Sequence, residues 1–271
     1  MQYGSDPDAV YPDELFGDTI ENTYTTRQVA KIIGIHPNTV RMYEELELIS
    51  KPLRKSNGYR VFSDLHIEQF RLARTAFHIE VLQNGLRKNI IEVVKLSANK
   101  QYDKAIELTH LYIRTIRQEI ENANEAVEIT KALLQGYFQT STVFFKRKEV
   151  SDALGITMDT LRNWEMNGLL NVKRKENGYR VYSNEDIQKL KIIRSLRCAN
   201  YSLSAILRMM NALKLNSAIN IEQILNTPGE SEDIVTACDK LISSLHEAKK
   251  NAKQIIVILN KMKNKNINTP L

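Results

Sequence analysis

The chain has 271 residues, 42% hydrophobic and 26% charged, which is typical of a folded protein of one to three domains rather than a disordered one. Two cysteines without a CxxC spacing argue against a disulfide framework, and no signal peptide or membrane-spanning run is predicted. The formal net charge of +6 suggests an anionic partner, and the cytoplasm is the expected location.

The first predicted element is an acidic arm, residues 1–23. Residues 1–24 hold six acidic residues and no Lys or Arg. The rest of the chain therefore contains 26 acidic and 38 basic residues, which gives it a formal charge of +12. A solvated, flexible arm is one interpretation. The alternative is that the arm contacts the protein's own basic surface in the place of DNA.

Residues 24–98 carry the signature of a winged helix-turn-helix. The stretch RQVAKIIG is apolar at helical spacing and ends at Gly34, a common helix terminator. After a tight turn, PNTVRMYEE begins a second helix, with Pro37 suited to the first helical position. The basic run SKPLRKSNGYRVFS then contains an Asn-Gly turn signal, which predicts a small hairpin or wing. Ser63 is a suitable N-cap for a third helix.

Residues 143–226 repeat this pattern. The string NGYRV occurs at 57–61 and again at 177–181, and VSDALGITMDTLRNWEMNGLL aligns with VAKIIGIHPNTVRMYEELELI. The similarity extends over about 50 residues, so the whole module is duplicated rather than one turn. Ser183 takes the capping position of Ser63 in the second copy.

Each module is followed by a long amphipathic helix, residues 103–137 and 231–264. In both, apolar or small residues alternate spacings of three and four over four heptads, which is typical of a coiled coil. The first seam is Ile106, Thr109, Ile113, Ile116, Ile120, Ala123, Val127, Thr130 and Leu134; the second is Ile234, Cys238, Leu241, Leu245, Ala248, Ala252, Ile255, Leu259 and Met262. The predicted fold class is mainly α, with two winged helix-turn-helix domains each followed by a long coiled-coil helix.

Three patterns resemble the MerR family of bacterial transcription regulators. They are T-x-R-x-(Tyr/Trp)-E in the second helix, NGYR-x-(Phe/Tyr)-S at the wing, and NYSLSAI at 200–206, which is similar to the family's turn into a fourth helix. The first copy has EVLQNGL there and lacks the Ser cap, so its fourth helix is expected to start differently.

The resemblance implies double-stranded DNA and RNA polymerase as partners. Family members typically carry one module, dimerise, and pair their long helices antiparallel. In this chain we expect the two long helices to pair inside one polypeptide, as a monomeric pseudo-dimer. A homodimer or a domain-swapped dimer is the alternative.

The wing cations are expected to contact DNA phosphates, because neutralising phosphate supplies much of the affinity for DNA. By resemblance, Arg41 with Tyr43 and Arg162 with Trp164 contact phosphates near the major groove; the alternative is that the two aromatics pack in the core. Asn38 suits bonding to adenine and Asp159 to cytosine, unless each simply caps its helix. The candidate DNA-binding residues are Thr26, Arg27, Asn38, Thr39, Arg41, Tyr43, Lys51, Arg54, Lys55, Tyr59 and Arg60, and Arg147, Lys148, Asp159, Thr160, Arg162, Trp164, Lys173, Arg174, Lys175, Tyr179 and Arg180.

Other sites are not expected. The sequence has no P-loop, GxSxG, HExxH or metal-spaced cluster, so no enzyme activity, cofactor or metal is predicted. Cys198 and Cys238 are interpreted as packed thiols, and the five histidines as surface or packing residues.

Two functions fit this sequence. One is a promoter regulator of the MerR type, located with the nucleoid, that distorts DNA and binds two non-identical half-sites. The half-sites are expected to differ because the recognition helices start as His36-Pro37-Asn38 and Thr157-Met158-Asp159. The other is an architectural or excisionase-like DNA-binding protein that does not activate promoters.

Overall fold

The computed structural model describes residues 22–78, 82–135, 137, 143–176, 178–216 and 234–267. The acidic arm up to residue 21, residue 177 of the second wing and residues 217–226 of the second predicted module lie outside the described residues. The chain divides into two compact units: Met1–Glu80, Lys88–Ile113 and Lys250–Leu271 form the first, and Val81–Arg87 and Arg114–Lys249 form the second.

The first module contains the predicted helices and hairpin. Its elements are α1 (Thr26–Ile33), α2 (Pro37–Glu45), β1 (Leu53–Arg54), β2 (Arg60–Val61), α3 (Asp64–Ala76) and α4 (Leu86–Ala98). Helix α1 ends as predicted, at Gly34 with φ of +73°, a left-handed conformation that favours glycine. Pro37 opens α2, and the Nδ1 atom of His36 accepts a hydrogen bond from the Asn38 backbone N–H at 3.2 Å.

The second module repeats this order and adds a strand. Its elements are β3 (Phe145–Lys146), α6 (Arg147–Leu154), α7 (Met158–Met166), β4 (Lys173–Arg174), β5 (Arg180–Tyr182), α8 (Asn184–Cys198) and α9 (Leu203–Asn216). Strand β5 lies between β3 and β4 in an antiparallel sheet, whereas the first module has β1–β2 and a single bridge between Tyr24 and Phe62.

The caps of the third and fourth helices follow the predictions. Ser63 and Ser183 are the N-caps of α3 and α8, and the Ser183 hydroxyl accepts from the Asp186 N–H at 3.2 Å. Ser202 caps α9 in the same way. Helix α4 instead follows a turn in which Asn84 and Gly85 both have positive φ, so the fourth helix of the first module does start differently.

The long helices are α5 (Tyr102–Leu134) and α10 (Ile234–Ile267). All nine predicted seam positions of α10 are buried, and those of α5 are buried or half-buried, which is typical of the packed side of an amphipathic helix. The hydroxyls of Thr109 and Thr130 donate to backbone carbonyls one turn earlier in α5, so burial leaves neither of them unsatisfied.

Both long helices contribute to each compact unit. In the first unit, Lys263 near the end of α10 forms an ion pair with Asp103 at the start of α5. In the second unit, Val127 and Leu133 near the end of α5 share one hydrophobic core with Ile234 at the start of α10. Each pairing therefore joins the start of one long helix to the end of the other.

Two further predictions concern single features. Cys198 and Cys238 are buried and form no disulfide, as expected for packed thiols, and burial raises the pKa of Cys198 well above its ordinary value. Among the described residues, no helix is both long enough and apolar enough to cross a lipid bilayer.

Candidate nucleic-acid interface

The two recognition helices, α2 and α7, present polar residues to solvent. Arg41 and Asn38 are exposed on α2, where the Arg41 Nη1 donates to Asn38 Oδ1 at 3.1 Å. Arg162 and Asp159 are exposed on α7. Neither Asn38 nor Asp159 is an N-cap, because His36 and Thr157 occupy those positions. The capping alternative for these two residues is therefore wrong, and their side chains face the solvent at the start of each helix.

The wings project cations from two tight turns of the same shape. In the first wing the Lys55 N–H donates to the Tyr59 carbonyl at 2.9 Å and the Gly58 N–H donates to the Lys55 carbonyl at 2.8 Å. The second wing has the same two bonds at the same distances, 120 residues later. The turn glycines have φ near +79°, which explains why the Gly of NGYRV is present in both copies.

The exposed residues of the two wings include five cations and two tyrosines. Tyr59 and Tyr179, at matching positions beside the turns, are 72% and 73% exposed. The exposed cations are Lys51 and Lys55 in the first wing and Lys173, Arg174 and Lys175 in the second. Cations at the tip of a hairpin next to a recognition helix suit contact with a phosphate backbone.

In the first module, a buried glutamate connects the recognition helix to the wing. The side chain of Glu44 is 9% exposed and pairs with Arg60 on β2 and with Arg54 on β1, the latter at 3.3 Å. A buried carboxylate needs such cationic partners, because without them its ionised form is costly. Glu44 therefore fixes the hairpin against the end of α2.

Glu165 takes the same position in the second module but has different partners. Its side chain is 7% exposed and lies 2.8 Å from Arg180 Nε and 3.2 Å from Arg147 Nη2, and the Tyr182 hydroxyl also donates to it. Burial raises the pKa of Tyr182 to about 12, and the bond to Glu165 adds to that shift. We call Glu165, Arg180, Arg147 and Tyr182 the second wing network. In this network Arg147, at the start of α6, is the second cationic partner of the glutamate, whereas in the first module that partner is Arg54 of the wing.

Sequence reasoning missed both glutamates as site residues. They were visible as one of the identities between the two copies and as the last residue of T-x-R-x-(Tyr/Trp)-E. Their role could not be assigned, because exposed and buried glutamates look alike in a sequence. The finding also gives Arg54, Arg60, Arg147 and Arg180 a structural role beside any contact with phosphate.

The two aromatic residues are buried. Tyr43 is 5% and Trp164 4% exposed. Tyr43 stacks on Phe70 with ring centroids 5.4 Å apart and meets Phe77 edge-on at 6.4 Å. The expectation that these rings contact phosphate is therefore replaced by the packing alternative, because their faces are covered by core side chains.

The remaining candidates lie on the two helix-turn-helix units. Arg27 and Lys148 are exposed in the first turns of α1 and α6, and Thr26 beside Arg27 is half-buried. Thr39 and Thr160 are also half-buried, and the Thr160 hydroxyl contacts that of Thr157 at 2.9 Å. Within the described part of the chain, no group of three or more His, Cys, Asp or Glu side chains is arranged to hold a metal ion.

These features define a protein with two winged helix-turn-helix modules, each with an exposed recognition helix and a basic wing. The sequence patterns of two related families match it: the MerR family regulatory proteins at residues 25–62 and the MerR HTH family regulatory proteins at residues 145–213. The HTH-type transcriptional regulator CueR of Yersinia pestis is 31% identical over 97 residues, which cover 36% of this chain and 68% of that protein. The chain belongs to the MerR family.

Other relatives match shorter stretches. CueR of Escherichia coli is 42% identical over 48 residues, 18% of this chain and 36% of that protein. The nodulation protein NolA of a Bradyrhizobium species is 41% identical over 64 residues, 23% of this chain and 27% of that protein. The chain thus spans about a third of the length of the Escherichia coli relative. Comparison with solved structures gave no significant match.

Proposed function

We propose that this chain is a sequence-specific DNA-binding transcription regulator that uses its two modules on two half-sites of one promoter. The observation that carries the proposal is the repeated interface: each module presents an exposed arginine on its recognition helix, Arg41 or Arg162, beside an exposed basic wing. Two surfaces of the same construction on one chain suit a ligand with two similar binding positions. The relatives named as transcriptional regulators support the same function.

The exposed cations supply the phosphate contacts in this proposal. They are Arg27, Arg41, Lys51 and Lys55 in the first module and Lys148, Arg162, Lys173, Arg174 and Lys175 in the second. Because these side chains are exposed, the DNA backbone can reach them, and contacts with phosphate fix the position of each module without reading bases. Asn38 and Asp159, exposed at the starts of the recognition helices, are the proposed base-reading residues.

The half-sites are proposed to differ in sequence. An amide suits adenine, whereas a carboxylate accepts from the amino group of cytosine. A homodimer must present identical residues to both half-sites, but one chain with two modules is free of that constraint. The different residues at the matching positions, Asn38 and Asp159, support this part of the proposal.

The chain is proposed to act as a monomeric pseudo-dimer, with α5 and α10 paired antiparallel as a coiled coil. The ion pair between Asp103 and Lys263 and the shared core of Val127 with Ile234 support this pairing. We further propose that the protein bends or untwists a promoter for RNA polymerase in the cytoplasm, because contacts of two modules with the same DNA can offset the energy of deforming it.

Footprinting on the promoter upstream of the protein's own gene tests the function. We expect protection across an over-long spacer between promoter elements, with enhanced cleavage at its centre. Protection away from promoter elements would favour an architectural DNA-binding protein, and no protection would contradict the proposed target. Sites selected from random DNA should be imperfect repeats; perfect palindromes would contradict the proposal of different half-sites.

The mass of the complex tests the pseudo-dimer. Light scattering of the purified chain on DNA with both half-sites should give one chain of 31.2 kDa per duplex. Two chains per duplex, with four modules, would contradict intrachain pairing.

A further inference from the structure

Arg194, on α8 of the second module, bonds to two other elements at once. Its Nη1 and Nη2 atoms each donate to one oxygen of Glu119 on α5 at 2.7 Å, and its Nε donates to the backbone carbonyl of Leu154 at 2.7 Å. The side chains of Arg194 and Glu119 are 13% and 4% exposed. A two-bond arginine–carboxylate pair out of water fixes both side chains in direction as well as in distance.

The Leu154 carbonyl lies at the turn between the two helices of the second helix-turn-helix. Leu154 is the last residue of α6, and Gly155 follows with φ of +60°. Thr157, the N-cap of recognition helix α7, comes two residues later. Carbonyls in the last turn of a helix lack helical partners, and Arg194 satisfies this one from outside. The guanidinium therefore holds the end of α6 at the turn that leads into α7.

Two neighbouring contacts fix the same face of α5. The Ser195 hydroxyl donates to the Asn122 carbonyl at 3.2 Å, and Lys191 pairs with Glu125 at 2.5 Å. With Glu119, the α5 contacts fall at intervals of three residues and so lie along one side of the helix. Helix α8 is thus attached to α5 at three consecutive points, and only Arg194 among them also reaches the helix-turn-helix.

We infer that Arg194 is a positioning residue that sets the orientation of recognition helix α7 relative to long helix α5. A rotation or bend of α5 at Glu119 would move the guanidinium, and the guanidinium would move the end of α6 and the turn into α7. The inference rests on the proposed binding of two half-sites, because it predicts that changes in α5 reach the second half-site through this side chain.

The first module differs at the matching position. The residue 120 positions before Arg194 is Arg74, on α3, and its side chain is exposed to solvent. Because Arg74 is outside the protein interior, its replacement should leave the first helix-turn-helix in place. Arg74→Lys is therefore a matched control for Arg194→Lys, with the same chemical change at the equivalent position of the other module.

Footprinting of the full chain on DNA with both half-sites tests the inference. Arg162→Ala, on α7, first identifies which half-site the second module occupies. Arg194→Lys keeps the charge but cannot make all three bonds, and it should weaken protection of that half-site by about tenfold, the value of one good base contact. The other half-site should change by less than about twofold, and Arg74→Lys should change neither.

The exchanged pair Glu119→Arg with Arg194→Glu separates positioning from stability. It can restore an ion pair between α5 and α8, but a glutamate has no proton to donate to the Leu154 carbonyl. The double variant should melt near the wild-type temperature and still bind the second half-site poorly. Full recovery of that half-site would overturn the inference, because the ion pair alone would then be sufficient. Equal loss at both half-sites in Arg194→Lys would overturn it as well.

Amide hydrogen exchange gives a readout that needs no DNA. In Arg194→Lys, the first-turn amides of α7 should exchange faster than in the wild type, and those of α2 should be unchanged. Unchanged exchange in α7 would overturn the inference whether or not DNA binds. Failure of the proposed function has a different result, namely a wild-type chain that protects no DNA.

Discussion

Replacing Arg180 by alanine should destabilise the second module. Arg180 Nε lies 2.8 Å from Glu165 Oε2, and the Glu165 side chain is 7% exposed. A hydrogen bond to a charged group contributes about 1.5–3 kcal/mol, and losing all partners of a buried charge costs about 3–5 kcal/mol. Glu165 keeps Arg147 and Tyr182, and the Arg180 side chain is 32% exposed, so we expect a cost near the lower bound, about 1.5–2 kcal/mol. In a chain of this size the melting temperature should then fall by about 3–8 °C.

Arg174→Ala is the control for this prediction. Arg174 is the cross-strand partner of Arg180 in the β4–β5 ladder, and it is exposed. Thermal unfolding followed by circular dichroism should show no change for Arg174→Ala. In Arg174→Ala, the slope of log DNA affinity against log salt concentration should instead become shallower by about 0.9, the contribution of one phosphate contact.

A double-mutant cycle with Glu165→Gln completes the test. The loss of stability in Arg180→Ala should be smaller in the Glu165→Gln background, because the charge that Arg180 compensates is then absent. An Arg180→Ala variant with an unchanged melting temperature and a salt slope reduced by about 0.9 would refute the reasoning. The Arg180 guanidinium would then contact DNA phosphate only and would not hold the wing in place.

Three other perturbations test the fold. Burial lowers the pKa of His66 to about 4, so the imidazole stays neutral in the folded protein but is protonated near pH 6.5 in the unfolded chain. The free energy of unfolding should therefore fall by up to about 3 kcal/mol as the pH drops from 7 toward 4. Chemical denaturation of His66→Gln should show a weaker dependence on pH. Gly155→Ala should cost about 1–2 kcal/mol in urea unfolding through the positive φ alone, because no atom lies within 4 Å of the added methyl group; an unchanged midpoint would contradict the left-handed turn. Leu245 is fully buried at a seam position of α10, and Leu245→Ala should lower the free energy of unfolding by about 2–5 kcal/mol. Val257 is 67% exposed on the same helix, and Val257→Ala should lower it by less than about 0.5 kcal/mol. Similar losses of stability in both variants would argue against the packed seam.

The sequence predicted the elements that depend on local chemistry. Gly34 and Gly155 mark helix ends because only a residue without Cβ adopts positive φ at no cost, and that preference is readable from the chain alone. The seam of α10 was predicted residue by residue, because helical periodicity sets which positions share a face.

The contacts that join distant segments were not predictable in the same way. Tyr43 was assigned to phosphate from a pattern, but its position is set by Phe70 and Phe77, which come 27 and 34 residues later. The pair of Arg194 with Glu119 spans 75 residues, and no spacing rule connects them. His66 occupies the third position of a helix, where Asp186 stands in the second copy, and its burial depends on tertiary packing.

Because α5 joins both modules within one polypeptide, every chain carries one copy of each module at any expression level. Regulators that assemble from separate subunits lose their active form disproportionately when expression falls, because assembly depends on the square of subunit concentration. In a single chain the local concentration of one module beside the other is fixed by the intervening residues and does not change with dilution. For the proposed monomeric pseudo-dimer, we expect the occupancy of an unsaturated promoter to follow the number of chains in direct proportion, because no assembly step comes before DNA binding.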